Sequence, residues 1–223
     1  MKQVHVRNEI LPLRLWLLAV FIVCCLVGTL SPADSVNIEK FVENAFVEIE
    51  NEFTLDTSIE LWNRILDNLY LMGRLWKVYN FYPQYEVSIK GSGFHIIDPT
   101  GIEGDVFELQ KGNNNRIFLA SGTLKKWFVP KNLRGRVLFL FNFPNSRNQV
   151  LVKLNIYGEE GSTIADKIML KVISPVLRIY INRRIKRNIN DFRTLLADIV
   201  NNPDKIRAQL SGRILDDFNL LVD

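Results

Sequence analysis

The residues best suited by type to chemistry are few and scattered. His95 could serve as a general base or a ligand, but it stands alone between two turn signals, where a hydrogen-bonded bystander is the commoner outcome. Glu103 with Asp105, and Glu159 with Glu160, are carboxylate pairs beside glycines, in places where turns ordinarily carry acids. Gly91-Ser92-Gly93 is too short for a phosphate loop, which needs a strand before it and a helix after it. Both cysteines, Cys24 and Cys25, fall within an apolar stretch, and neighbouring cysteines do not form an ordinary structural bridge. His5 and His95 are the only histidines, so a Cys/His zinc site fails on ligand supply. No catalytic residue, metal site or cofactor site is assigned from the sequence.

Charge narrows the partners. The net charge of the 223 residues is +4, and Lys2, Arg7 and Arg14 against Glu9 account for half of it. The remainder is close to neutral, which argues against nucleic acid. Hydrophobic content of 48% with 23% charged residues fits a globular chain long enough for one sizeable core.

The apolar stretch Leu15–Leu30 has no charge and follows Arg14. At sixteen residues it is a little shorter than the roughly 20 that span a bilayer, and Leu11–Leu13 extend it. It reads as one N-terminal transmembrane anchor. A cleaved signal is the alternative, because Ser31-Pro32-Ala33 offers small residues at a cleavage site. The basic N-terminal flank and the acidic Asp34–Glu52 segment place the N-terminus in the cytoplasm and the domain outside it, periplasmic or extracellular.

After a linker, Ala45–Leu55 alternates as a half-buried strand, with Val47, Ile49, Phe53 and Leu55 on one face. Thr57-Ser58-Ile59-Glu60 reads as a capping box opening a helix that Gly73 is expected to end. From Tyr85 the period is two, through strands parted by Gly91-Ser92-Gly93, Asp98-Pro99-Thr100-Gly101, Lys111–Asn115, Pro130–Gly135 and Pro144–Asn148. Gly122 is expected to mark a bulge or bend. Thr163–Val200 then carries apolar residues at helical spacing, from Ile164, Ile168, Val172, Val176 and Ile179 to Ile185, Ile189, Phe192, Leu196 and Ile199. Ser174-Pro175 is expected to kink or divide this helix, leaving Pro175–Val200 as the longer part. A short helix after Asn202-Pro203, closed by Gly212, ends the pattern.

Strand, helix, antiparallel meander and long final helix predict an α+β fold, a curled antiparallel sheet wrapped around a C-terminal helix. The strand-to-helix run Leu55–Trp62, the strand end Tyr157-Gly158-Glu159-Glu160 and the helix Ile173–Val200 resemble the helix-grip fold of the START-like, polyketide cyclase-like (SRPBCC) superfamily. The resemblance covers about residues 45–200, behind a membrane segment at 1–33 and a linker at 34–44, with 201–223 as a helical extension.

The resemblance implies a hydrophobic cavity for lipid-like, sterol-like or quinone-like molecules between sheet and helix. By position its candidate walls are Trp127, Phe139, Phe141, Val152 and Leu154 on strands, with Val176, Ile179 and Tyr180 on the helix. Arg183, Arg184, Lys186 and Arg187 could hold an anionic headgroup or meet a membrane at about 1 kcal/mol per charge, or form a solvated helix face. Three readings follow: a membrane-tethered non-catalytic carrier or sensor of a hydrophobic ligand, a cavity-free interaction module of the cell envelope, and a cyclase or hydrolase.

Overall fold

The computed structural model describes residues 36–125, 133–144, 149–159 and 164–223, with backbone only at 133, 134, 164–174 and 177. The expected anchor and Trp127 lie outside these residues. No helix among the described residues is long and apolar enough to cross a membrane.

A short helix α1 (Ile38–Glu43) precedes strand β1 (Ala45–Leu55) and helices α2 (Ile59–Asp67) and α3 (Leu69–Val78). Six strands follow: β2 (Glu86–Lys90), β3 (Gly93–Asp98), β4 (Ile102–Lys111), β5 (Asn115–Leu124), β6 (Leu133–Asn142) and β7 (Val150–Glu159). The helices α4 (Ile164–Asn201), α5 (Pro203–Arg207) and α6 (Arg213–Val222) complete the chain. The sheet order is β1-β7-β6-β5-β4-β3-β2, with every pairing antiparallel. Because α2 and α3 intervene after β1, the meander starts on the far edge and returns until β7 lies beside β1. This is the helix-grip arrangement, with α4 against the concave face.

Local chemistry sets the boundaries. Ser58 Oγ accepts from Leu61 N at 3.2 Å and Asn68 Oδ1 accepts from Leu71 N at 3.0 Å, so each side chain caps a new helix. The cap of α2 is thus Ser58 rather than Thr57, and Asn68, not Gly73, divides the helical region. Gly122 lies in regular register opposite Gly104 and Gly135, while the irregularity falls between Glu108 and Gln110. The glycines there serve close approach, since a Cβ on Gly122 would lie 2.2 Å from Glu103 O. Pro175 sits inside a continuous α4 rather than dividing it. Gly212 does not close α5; at φ +56° it caps the start of α6.

The core has three parts. One lies between the sheet and the middle of α4. The second joins α2, α3, α6 and the end of α4, and buries Phe218 and Leu221 of the C-terminal extension. The third sits on the outer face, where Phe41 of α1 covers Ile117, Leu119, Leu138 and Tyr157. The central strands are therefore covered on both faces, which explains why Leu138 and Leu140 break the alternation of β6.

Gly73 sets how closely α3 lies on β2. A Cβ there would stand 2.4 Å from Val87 Cγ2. Overpacking costs about 1–3 kcal/mol, against about 1 kcal/mol gained in helix propensity. Gly73→Ala is therefore expected to lower stability by up to about 2 kcal/mol in urea titration, and Val87→Ala in the same chain to restore only part of it, since the Val87 Cβ itself would stand 2.9 Å away.

Candidate functional site

Between the concave sheet, α4 and the α2–α3 pair lies a cavity of about 240 Å³. Every strand of the sheet contributes a wall residue, among them Phe53, Val87, Ile96, Val106, Phe118, Phe139, Phe141 and Leu154. Trp62 and Trp76 come from α2 and α3. The α4 wall is Ile185, Asn188, Ile189 and Phe192, the i, i+3, i+4, i+7 stripe of one helix face. Among the described lining residues there is no carboxylate, imidazole or thiol, and the side chains with hydrogen-bonding groups are Trp62, Trp76, Tyr85 and Asn188.

At one side of the cavity a buried polar cluster ties α4 to the sheet. The Arg184 side chain is 0% exposed. Its Nε donates to Tyr85 Oη at 3.1 Å, its Nη2 donates to the same oxygen, and Nη2 stands 3.5 Å from Asp98 Oδ2. Asn188 Nδ2 donates to Tyr85 Oη at 3.0 Å. Asp98 also closes its own turn, accepting from Thr100 N at 2.7 Å and Thr100 Oγ1 at 2.6 Å. Burial pushes the Tyr85 phenol up to about 12; Arg184 acts in the opposite sense. Tyr85 is thus a neutral hydrogen-bonding group at physiological pH, and the guanidinium has a carboxylate to compensate its loss of water.

The candidate residues divide. Phe139, Phe141 and Leu154 line the cavity. Val152 and Tyr180 are buried in the adjoining core and do not line it, and burial raises the Tyr180 phenol. Val176 and Ile179 were expected on the inner wall, but they are 57% and 51% exposed. The reason is phase: Ile179 and Ile185 are six residues apart, about 1.7 turns, so the two apolar runs of α4 occupy different faces. That gap was readable and marks where the buried stripe changes over to Ile181, Ile185, Asn188 and Phe192.

Arg183, Lys186 and Arg187 are exposed, as a headgroup or membrane contact requires. Arg184 is not: it turns inward onto Tyr85 and Asp98, so it is removed from that surface set. Arg187 lies over the Tyr82 ring at 5.8 Å and 3.8 Å from Asp191.

Sequence reasoning missed Asn188, Tyr85, Asp98 and the two tryptophans. The helical offsets from Ile185 to Phe192 include Asn188, a polar residue on an apolar face, and that was the available signal. Asp98 gave none, because Asp-Pro-Thr-Gly is an ordinary turn.

His95 belongs elsewhere. Ile96 and Val106 line the cavity, so their neighbours His95 and Asp105 point to the opposite face of the sheet. There His95 Nδ1 pairs with Asp105 Oδ1 at 2.7 Å, and Lys90 reaches Asp105 Oδ2 at 2.8 Å. Burial raises the Asp105 carboxyl, but the bonds from Lys90 and His95 outweigh it and the net shift is downward. Glu159 is held by Arg136 through two bonds of 2.7 and 2.6 Å. Both carboxylates have structural partners.

Removing one member of a buried ion pair costs about 3–5 kcal/mol. Asp98→Ala is expected to lose that much in chemical denaturation, far more than Asp105→Ala on the outer face, which is expected to lose about 1 kcal/mol or less.

No protein-family model matches the chain. No curated protein sequence matches it. Solved structures do resemble it. The Zhui aromatase/cyclase from a Streptomyces species is 8% identical at a TM-score of 0.48, covering 70% of this chain and 96% of that one. The protein TTHA0849 from Thermus thermophilus is 11% identical at a TM-score of 0.48, covering 70% of this chain and 100% of that one. A norcoclaurine synthase variant from Thalictrum flavum, in complex with a transition-state analogue, is 12% identical at 0.44, covering 68% and 94%. At such identities no activity, ligand or residue role passes from them to this chain.

Proposed function

We propose that this chain is a membrane-tethered, non-catalytic domain that binds a small hydrophobic ligand as carrier or sensor. The cavity of about 240 Å³ carries the reading. Apolar surface lining such a recess gains little from water, so an apolar occupant that covers it is stabilised at about 25 cal/mol per Å² buried. A cavity-free interaction module has no use for such a void. The lack of carboxylates, imidazoles and thiols among the described lining residues supports binding over a cyclase or hydrolase.

Native mass spectrometry of the full chain tests this. The expected result is a co-purifying hydrophobic molecule whose occupancy falls in Leu154→Trp, whose indole takes up part of the cavity. A wild-type chain that is empty and takes up no lipid or quinone-like compound would sink the reading.

The tether rests on the uncharged Leu15–Leu30 and its basic flank. It places the domain on the periplasmic or extracellular side, with secretion after signal cleavage as the alternative. Exposed Val176 and Ile179, near exposed Arg178, Arg183 and Lys186 on α4, are suited to an anionic bilayer surface. With a retained anchor, the full chain is expected to stay in the membrane pellet through alkaline carbonate extraction. The domain should be digested by protease added from the non-cytoplasmic side. Release of a shortened chain into the soluble fraction would mean a cleaved signal.

A further inference from the structure

From Tyr180 onward α4 buries its Ile181, Ile185 and Asn188 side on the sheet, and the opposite side is exposed. Val176, Ile179, Arg183 and Lys186, at i, i+3, i+7 and i+10, share that outward side. All four are exposed, Val176 by 57% and Ile179 by 51%. In the sequence, helical spacing runs back from Val176 through Val172 and Ile168, so an apolar run leads into a basic one. Between Asp166 and Asp191 the sequence has seven basic residues and no acid.

Position and charge say what this side meets. Asn51 of β1 donates to Asn182 at 3.4 Å and Arg193 donates to Thr54 O at 3.1 and 3.2 Å, so α4 runs alongside β1 in the same direction. Residues of α4 before Asn182 therefore lie towards the Ala45 end of β1, the end at which α1 joins it. The apolar Leu15–Leu30 stops six residues before Val36, and six residues reach at most about 22 Å. β1 alone, at 11 residues, is about 36 Å long. A bilayer holding the apolar segment is thus kept within reach of the Ala45 end and of the first half of α4. The convex face of the sheet is also near, but there β1 carries the exposed acids Glu48, Glu50 and Glu52, one of them paired to Lys153 at 3.5 Å. Anionic lipid repels that face and attracts α4. A second copy of the chain laid on α4 would set like charges against each other.

We propose that the outward side of the first half of α4 rests on the anionic bilayer that holds the chain's own anchor. Val176 and Ile179 enter the headgroup region, while Arg183 and Lys186 meet lipid phosphates. This rests on the anchor reading above and adds the orientation of the domain to it. The Ala45 end of the sheet faces the bilayer, and the end of α4 with α5 and α6 points away.

The test uses the full chain with Cys24→Ala and Cys25→Ala, in phosphatidylcholine nanodiscs with or without phosphatidylglycerol. A nitroxide is attached through Ile179→Cys or, as the control on α6, through Leu220→Cys, a position 76% exposed. Collision with oxygen, which concentrates in lipid, is compared with collision with a water-soluble nickel chelate. In anionic discs the oxygen-to-nickel ratio is expected to be several-fold higher at 179 than at 220. It is expected to fall back towards the 220 value in discs without phosphatidylglycerol, and in Arg183→Glu/Lys186→Glu. A chain that stays with the disc but has equal ratios at 179 and 220 overturns the docking and leaves the anchor reading standing. A chain that leaves the disc overturns both. A high ratio at 179 that ignores lipid charge overturns the anionic partner. Spin–spin broadening between labelled copies at 179 overturns it in favour of a second copy. The unlabelled wild type gives an independent readout: amide exchange across residues 175–186 is expected to slow several-fold in anionic discs, and equal exchange in both lipids overturns the proposal.

Discussion

Arg184 is the interaction on which the structure turns. A guanidinium wholly removed from water must find compensating partners, and here they are the Tyr85 hydroxyl and the Asp98 carboxylate on the sheet side. This fixes the rotation of α4 about its own axis. With Arg184 inward, Ile181, Ile185, Asn188 and Phe192 must also face the sheet, while Val176, Ile179 and Arg183 must face out. Farther along the helix, Tyr79 Oη donates to Asp198 at 2.7 Å, and Arg193 donates to Thr54 O at 3.1 and 3.2 Å. α4 is thus held at both ends of the cavity by directional bonds, and apolar contact fills in between.

The cavity is a consequence of that arrangement. The helix is clamped to a sheet whose seven strands all turn a side chain towards it. α2 and α3 close the remaining side, with Gly73 letting α3 approach β2. Aromatic rings then meet edge to face around the gap. Trp62 packs on Phe143 at 6.1 Å and on Phe192 at 5.9 Å, and Phe118 on Phe141 at 5.9 Å. Such rings define a wall without filling the space behind it.

A second polar clamp works on the same face of the sheet as the cavity, since Arg116 stands two residues from Phe118 on β5. Arg116, 2% exposed in its side chain, donates to Asp67 at 2.8 Å, Glu108 at 2.7 Å and Asn63 at 3.0 Å, joining α2 to β4 and β5. Burial raises the Asp67 carboxyl, but bonds from Lys111 and Arg116 outweigh it and the net shift is downward. Such a group contributes stability above its unfolded pKa and loses it as pH falls through the folded value. Both clamps set an arginine in a sheet-and-helix junction: Arg116 meets the acids Asp67 and Glu108, and Arg184 meets Asp98 together with the Tyr85 hydroxyl.

The chain's local chemistry determined the element order, the alternating faces of β1, β6 and β7, the start of a helix directly after β1, and the long final helix. These follow from period, turn residues and capping, all local in sequence. Phe139, Phe141 and Leu154 were legible as cavity wall for the same reason, since alternation settles a strand's face once one neighbour is placed. Only the tertiary structure decided which side of α4 turns inward, that one of four neighbouring basic residues is buried, and that the Asp98 turn supplies its counter-charge. Charge and spacing along a helix do not distinguish a solvated arginine from a buried one. The difference lies in an acid 86 residues away in the chain, brought within 3.5 Å by the curl of the sheet.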